Sequence, residues 1–170
     1  MPNSLLLFDV LGPFRVPMNT GKGGRCIPKG CPEFWEGQTS LAAQKGCYVF
    51  AIQAGKGFRP IYVGKTKRSF ERECFADHKI ASHYQPAIVN TGKGTPVVFF
   101  LVPRARRGKL NQRVLGDLET FLIQVASAKN PELSNIQKRT EARWGIPGVI
   151  RGGKGKPAQA ARKLRSAVGL

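Results

Sequence analysis

The chain has 170 residues, 41% of them hydrophobic, enough for one globular domain with a core of its own. It carries 28 Lys and Arg against 10 Asp and Glu, a net charge of +18, which favours a polyanionic partner and salt-sensitive binding, with nucleic acid first. No apolar run is long enough to enter a membrane, and the opening MPNSLLLFDVLGPF lacks a basic n-region and a small-residue cleavage site, so a cytoplasmic protein with reduced thiols is expected.

In chain order, the apolar run Leu5 to Val10 reads as a strand. The stretch PMNTGKGGRCIPKGCPEFWEGQ that follows is rich in Gly, Pro and Lys and reads as ordered loop. Residues 1–45 are therefore expected to form a basic N-terminal extension. Within it, Phe34 and Trp35 suit either stacking on bases or anchoring the loop. GCYVFAIQ from Gly46 is a strand rich in β-branched and aromatic residues, AGKGFRP turns the chain, and IYVG is a second strand: a hairpin. Ser69 can cap a helix over about Phe70 to Ser82. Pro96 to Val102 is a third strand. Lys109 to Ala128 is the clearest helix, with Leu110, Val114, Leu118, Phe121, Leu122 and Val125 as its apolar stripe. KNPELSN stops it, and the remainder to Val149 is irregular with Trp144 as anchor. Residues 151–170 begin with the basic linker RGGKGKP, after which Pro157 opens a short helix with Ala161, Leu164 and Val168 on one side. The expected architecture is an α+β domain, residues 46–150, built on a three-stranded antiparallel sheet flanked by helices.

The triplet GKG starts at Gly21, Gly55, Gly92 and Gly153 at unequal spacing. It forms either plain soluble turns or lysine-bearing loops that approach a phosphate backbone closely. Of the four cysteines, Cys26 and Cys31 together with Cys74 and His78 offer a zinc set, the last two one helical turn apart. The Cys-x4-Cys spacing is loose, and buried free thiols acting as small hydrophobes are the favoured reading.

Gly64-Lys65-Thr66 looks like the end of a phosphate-binding loop. Such a loop needs a glycine five residues ahead, and Arg59 stands there. Taken together, Gly46-Cys47-Tyr48 on the first strand and Tyr62-Val63-Gly64 on the second resemble the paired signature of the GIY-YIG nuclease family. The family's lysine after the second half is matched by Lys65, and its helix arginine, ten residues after the second tyrosine, by Arg72. Its metal-binding glutamate on a later helix is matched by Glu119, and NPELSN supplies Asn135. The resemblance covers roughly residues 46–135. Cys47 replaces the usual apolar residue and the insert between the tyrosines is slightly long.

The resemblance implies metal-dependent hydrolysis of a phosphodiester, with Glu119 holding Mg²⁺, or Mn²⁺ in its place. A single carboxylate with water-rich coordination suits such an ion. On its own helix Glu119 reads either as a surface charge or as a ligand. Tyr48 and Tyr62 are either core packing or chemistry; in the second case Tyr48 is the favoured general base and Tyr62 orients the water or the phosphate. Arg72 and Lys65 would hold the scissile phosphate, the alternative for Arg72 being an exposed ion pair on its own helix. His78 is a candidate for proton handling, whereas His83 carries no signal beyond surface polarity. Asn135 either positions a loop near the metal or is an ordinary turn residue. Lys67, Arg68, Arg162, Lys163 and Arg165 are candidate contacts to nucleic acid. Phe50, Phe70, Phe75, Phe99, Phe100 and Phe121 read as packing.

The expectation is an endonuclease acting on nucleic acid, DNA before RNA, making one nick per active site; cutting both strands would need two copies or two binding events. The alternatives are a non-catalytic nucleic-acid-binding protein on the same scaffold and a basic component of a ribonucleoprotein.

Overall fold

Alternation of β-branched and aromatic residues drives the strands at the centre of the protein. The computed structural model describes residues 6–104, 110–135, 137, 146–147, 149 and 155–169. β4 (Gly46–Ala54) and β5 (Gly57–Thr66) form the expected hairpin, closed by Gly55 and Lys56, with Gly55 at a φ of 58° as tight hairpin turns require. β6 (Thr95–Pro103) lies antiparallel along the other side of β4, pairing Tyr48 with Phe100 and Phe50 with Val98. β1 (Phe8–Arg15) continues the sheet beyond β6, giving the order β1-β6-β4-β5, antiparallel throughout. The sheet thus has four strands where the sequence reading gave three. The apolar run did not end at Val10: Gly12 and Pro13 interrupt its pattern, and the pairing slips between Leu11 and Phe14 before resuming.

The rest of the N-terminal segment is also built into the fold. β2 (Asn19–Gly21) and β3 (Gly24–Cys26) form a small ribbon, followed by α1 (Pro32–Glu36) and α2 (Thr39–Ala42). α1 buries Phe34 and Trp35, each 5% exposed, in an aromatic cluster with Phe75 and Phe100. Both rings are anchors and cannot stack on bases. Three of the GKG triplets lie at turns, between β2 and β3, between β4 and β5, and just before β6; Gly153 and Trp144 lie outside the described residues.

The single helix expected from Phe70 to Ser82 is broken. Ser69 caps α3 (Phe70–Glu73) as anticipated, its Oγ accepting from the Arg72 amide at 3.4 Å. The chain then leaves helical geometry at Ala76, where ψ is 140°, and restarts as α4 (Asp77–Lys79). A π-helical turn, Ile80–Tyr84, leads into α5 (Gln85–Thr91). π-turns are rare and concentrate at functional sites.

α6 (Gln112–Lys129) is capped by Asn111, whose side chain accepts from the amides of Arg113 and Val114. It buries Ile123 and Ala126 against the sheet face of Val49 and Val63, and Leu115 is buried as well. Its apolar stripe was read on the wrong side in part: Phe121 is 58% exposed and Val125 is exposed as well. Of the other phenylalanines read as packing, Phe50, Phe70, Phe75 and Phe100 are buried and Phe99 is half-buried. The opposite sheet face carries Tyr48, Phe50 and Ile52 into the larger core with Phe70, Phe75 and Tyr84. The chain separates into two compact units, Met1–Arg139 and Thr140–Leu170, and the second contains α7 (Gln159–Ala167), whose residues are almost all exposed. None of the described helices is long and apolar enough to cross a membrane.

Both glycines of the paired motif answer to packing. A Cβ on Gly46 would sit 2.0 Å from the Leu101 carbonyl oxygen, and one on Gly64 would sit 2.3 Å from the Tyr48 ring, its cross-strand partner. Tyr48 is fully buried and has nowhere to retreat. Gly64→Ala is expected to cost roughly 1–3 kcal/mol, read from urea unfolding, while Gly57→Ala, whose Cβ would have ordinary clearance, should change little.

Candidate functional site

Where β5 ends, Lys65-Thr66-Lys67-Arg68-Ser69 turns sharply into α3. The Thr66 hydroxyl fixes this turn by accepting from the Arg68 amide at 3.1 Å and donating to the Ser69 carbonyl at 3.3 Å. Thr66 is buried and Lys67 and Arg68 are exposed, so Gly64-Lys65-Thr66 is a strand end and not a phosphate cradle. Beside the turn lies a cleft of about 440 Å³ lined by Lys65, Thr66, Lys67, Arg68, Glu73 and Gln112.

Two carboxylates border this region. Glu119, on α6, has a side chain only 13% exposed and pairs through Oε2 with Lys65 Nζ at 3.1 Å. Glu73, at the end of α3, accepts from Lys79 Nζ at 2.8 Å. Tyr62 feels both: burial first, then the charges of Glu119 and Glu73, push its phenol up to about 12. The Tyr62 ring stacks on His83 with centroids 4.5 Å apart and planes 22° from parallel. His83 Nδ1 lies 2.6 Å from Ser134 Oγ.

Tyr48 is placed differently. It is 0% exposed, and its hydroxyl accepts from Lys79 Nζ at 2.6 Å. The same ammonium donates to the Glu73 carbonyl at 3.0 Å and to the Glu73 carboxylate, so all three of its protons are used inside the protein. Burial holds the Tyr48 phenol well above its usual range. Solvent does not reach it. Both tyrosines feel the charge of Glu73, and Tyr62 feels that of Glu119 as well.

The remaining candidates divide as follows. Arg72 is exposed on α3, and its guanidinium makes no hydrogen bond or ion pair among the described residues, so the ion-pair alternative is not what the fold provides. His78 is exposed on α4 and acts on His83 only through charge. Asn135 is buried, and its Oδ1 accepts from the Val63 amide while one Nδ2 proton goes to the Val63 carbonyl, both at 2.8 Å. It completes the outer edge of β5, so its amide serves the strand. Arg162, Lys163 and Arg165 are exposed on α7, in the second unit.

As a metal donor Glu119 is a hard oxygen in a half-buried position, the chemistry Mg²⁺ accepts. Among the described residues no three His, Cys, Asp or Glu side chains form a metal-binding group. An ion at Glu119 would therefore draw its other ligands from water and substrate. The zinc set does not assemble as drawn: Cys26 and His78 are exposed, while Cys31 and Cys74 are buried, with burial pushing the Cys31 thiol up to about 11.

Three residues of this neighbourhood carried no weight in the sequence: Glu73, Lys79 and His83. A straight helix puts His83 beyond its end; only the break at Ala76 and the π-turn bring it over Tyr62. No protein-family model, curated protein or solved structure matches the chain. What the coordinates define is a mixed α+β fold on a four-stranded antiparallel sheet with a basic cleft at one edge.

The chain's only tyrosines are Tyr48, Tyr62 and Tyr84, and each is raised above the ordinary value of 10, chiefly by burial. Their contribution to stability is complete below pH 10 and is lost as the pH climbs through the folded-state values, of which that of Tyr62 is about 12. Phenolate absorbance is expected to stay near zero past pH 10 and to rise only with alkaline unfolding. A tyrosine ionising at 10 in the folded protein would contradict this burial.

Proposed function

We propose that this chain is a divalent-metal-dependent endonuclease of the GIY-YIG type that hydrolyses phosphodiester bonds in nucleic acid, DNA in the first instance. The observation that carries this reading is the grouping at the end of β5. Lys65 and Glu119 pair there, close enough for the Glu119 charge to act on Tyr62, beside a cleft whose other cations are Lys67 and Arg68, with Arg72 exposed on the adjoining helix and unpaired among the described residues. A carboxylate kept half-buried among cations suits phosphodiester chemistry, which needs charge neutralisation and a positioned water.

Glu119 would hold the ion, which when bound supplies charge neutralisation and a more acidic water. Lys65 and Arg72 would grip the phosphate oxygens, and Lys67 and Arg68 the flanking backbone. Tyr62 would orient the water. Tyr48 is a positioning residue in this scheme, since its hydroxyl is sealed behind Lys79. A second reading, a nucleic-acid-binding protein without catalysis, draws on the Lys65–Glu119 ion pair, which already balances the carboxylate without a metal.

Nicking of supercoiled plasmid is expected with Mg²⁺ and abolished by EDTA. Glu119→Ala and Arg72→Ala should each lower the rate on the order of 100-fold or more while leaving a gel shift. Intact plasmid, single-stranded DNA and RNA with both Mg²⁺ and Mn²⁺, alongside a retained gel shift, would decide for the binding protein.

A further inference from the structure

We propose that His83 is the proton acceptor for the attacking water, an inference that rests on the nuclease reading above. The chain has two histidines. The fold presents His78 to solvent on α4 and lays His83 against the motif tyrosine that feels both carboxylates. The imidazole is thus stacked, with centroids 4.5 Å apart, on the tyrosine that would orient the water in the proposed scheme.

The other groups at hand are already occupied. Tyr48 is sealed by Lys79, Glu73 is bound to the same lysine, and Glu119 is paired with Lys65 and is the ion's ligand in the proposed scheme. The placement of His83 is built in by three elements. Lys79 immediately precedes the π-turn, which carries His83 near its end and Tyr84 as its last residue. Lys79 meets Tyr48, His83 meets Tyr62, and Tyr84 stacks on Phe50 at 4.0 Å. The segment after α6 supplies Ser134, whose own amide is tied to the Ile61 carbonyl of β5 at 2.8 Å. Its neighbour Asn135 clamps Val63. Ser134 is therefore a fixed point against which the imidazole is oriented.

We assign the tautomer in which Nδ1–H donates to Ser134 Oγ, leaving the Nε2 lone pair as acceptor. Among the described residues, the titratable and charged groups facing the ring are Tyr62 from β5 and His78 and Lys79 from α4, with Glu119 and Glu73 acting on Tyr62. Burial, then repulsion from His78 and Lys79, holds the imidazole below its ordinary value of 6.5, so it is neutral and able to accept at neutral pH. In the step, the water oxygen forms a bond to phosphorus and its proton passes to Nε2. The ester P–O bond breaks with its electron pair on the leaving oxygen, which takes a proton from solvent. The imidazolium then returns its proton to solvent.

The test is plasmid nicking against pH for the wild type, His83→Ala, His78→Ala and Ser134→Ala, with gel shifts and melting curves alongside. The wild-type rate should fall on an acid limb centred below 6.5. His83→Ala should lose about 100-fold or more, lose that limb, and regain part of its rate with added imidazole, with nucleic-acid binding unchanged. His78→Ala should keep most of the rate, because only a charge effect on His83 is removed. Ser134→Ala keeps the imidazole and removes its acceptor, so the limb should move to lower pH; this variant carries the test if His83→Ala fails to fold. A wild-type limb surviving in His83→Ala, a rate that imidazole does not restore, or a limb unmoved in Ser134→Ala overturns the assignment of His83 and leaves the nuclease reading intact. A wild type that cuts no substrate overturns both.

Discussion

A buried ammonium must have every proton satisfied, and Lys79 meets that demand with three groups from two residues. The Tyr48 hydroxyl comes from the start of β4, and the carbonyl and carboxylate of Glu73 come from the end of α3. This pins β4, α3 and α4 to one point. The Tyr48 ring can lie flat only because Gly64 opposite it has no side chain, so the lysine, the tyrosine and the glycine are one packing unit. Removing the ammonium alone would leave a buried phenol and carbonyl without partners, a loss of about 1–3 kcal/mol for each. The same contacts settle where the Glu73 carboxylate stands, at the border of the cleft.

A second constraint works on the outer edge of β5. An edge strand presents unpaired backbone groups to solvent. Here the segment following α6 covers part of that edge: Ser134 caps the Ile61 carbonyl, Asn135 takes both polar groups of Val63, and Asn130 donates to the Pro60 carbonyl at 2.7 Å. Arg59 binds Glu132 on the same segment. Four of the five residues from Arg59 to Val63 are thus held by side chains or backbone from one short stretch. That stretch also delivers Ser134 to His83.

The hairpin carrying the two tyrosines and the existence of α6 were legible in the sequence because they rest on local alternation, local periodicity and a glycine-bearing turn. What was not legible depends on distant partners. β1 shows no clean alternation across Gly12 and Pro13, and only its pairing with β6 identifies it. The inward face of α6 is chosen by the sheet: Leu115 and Ile123 are buried, and Phe121, the larger side chain, is left outside. Glu119 and Lys65 could be picked from spacing, and the fold brings them into contact. Asn135 could be picked too, yet its amide serves the strand edge. Lys79 and His83 could not be weighed, since a break at Ala76 and a π-turn have no signature in residue type.

The location of the cleft follows from the alternation of a strand. Tyr62 and Lys65 are three residues apart and so project from opposite faces of the sheet: Tyr62 pairs with Phe50 on the Tyr48 side, and Lys65 pairs with Cys47 on the α6 side. In a central strand two such side chains would be separated by the sheet itself. β5 is an edge strand, and among the described residues the covering segment bonds its backbone as far as Val63. Past that point Lys65 can reach around to Glu119, and the charge of Glu119 is felt at Tyr62. At the end of an edge strand, a phenol on one face can feel the charge of an ion pair held on the other, beside the basic cleft.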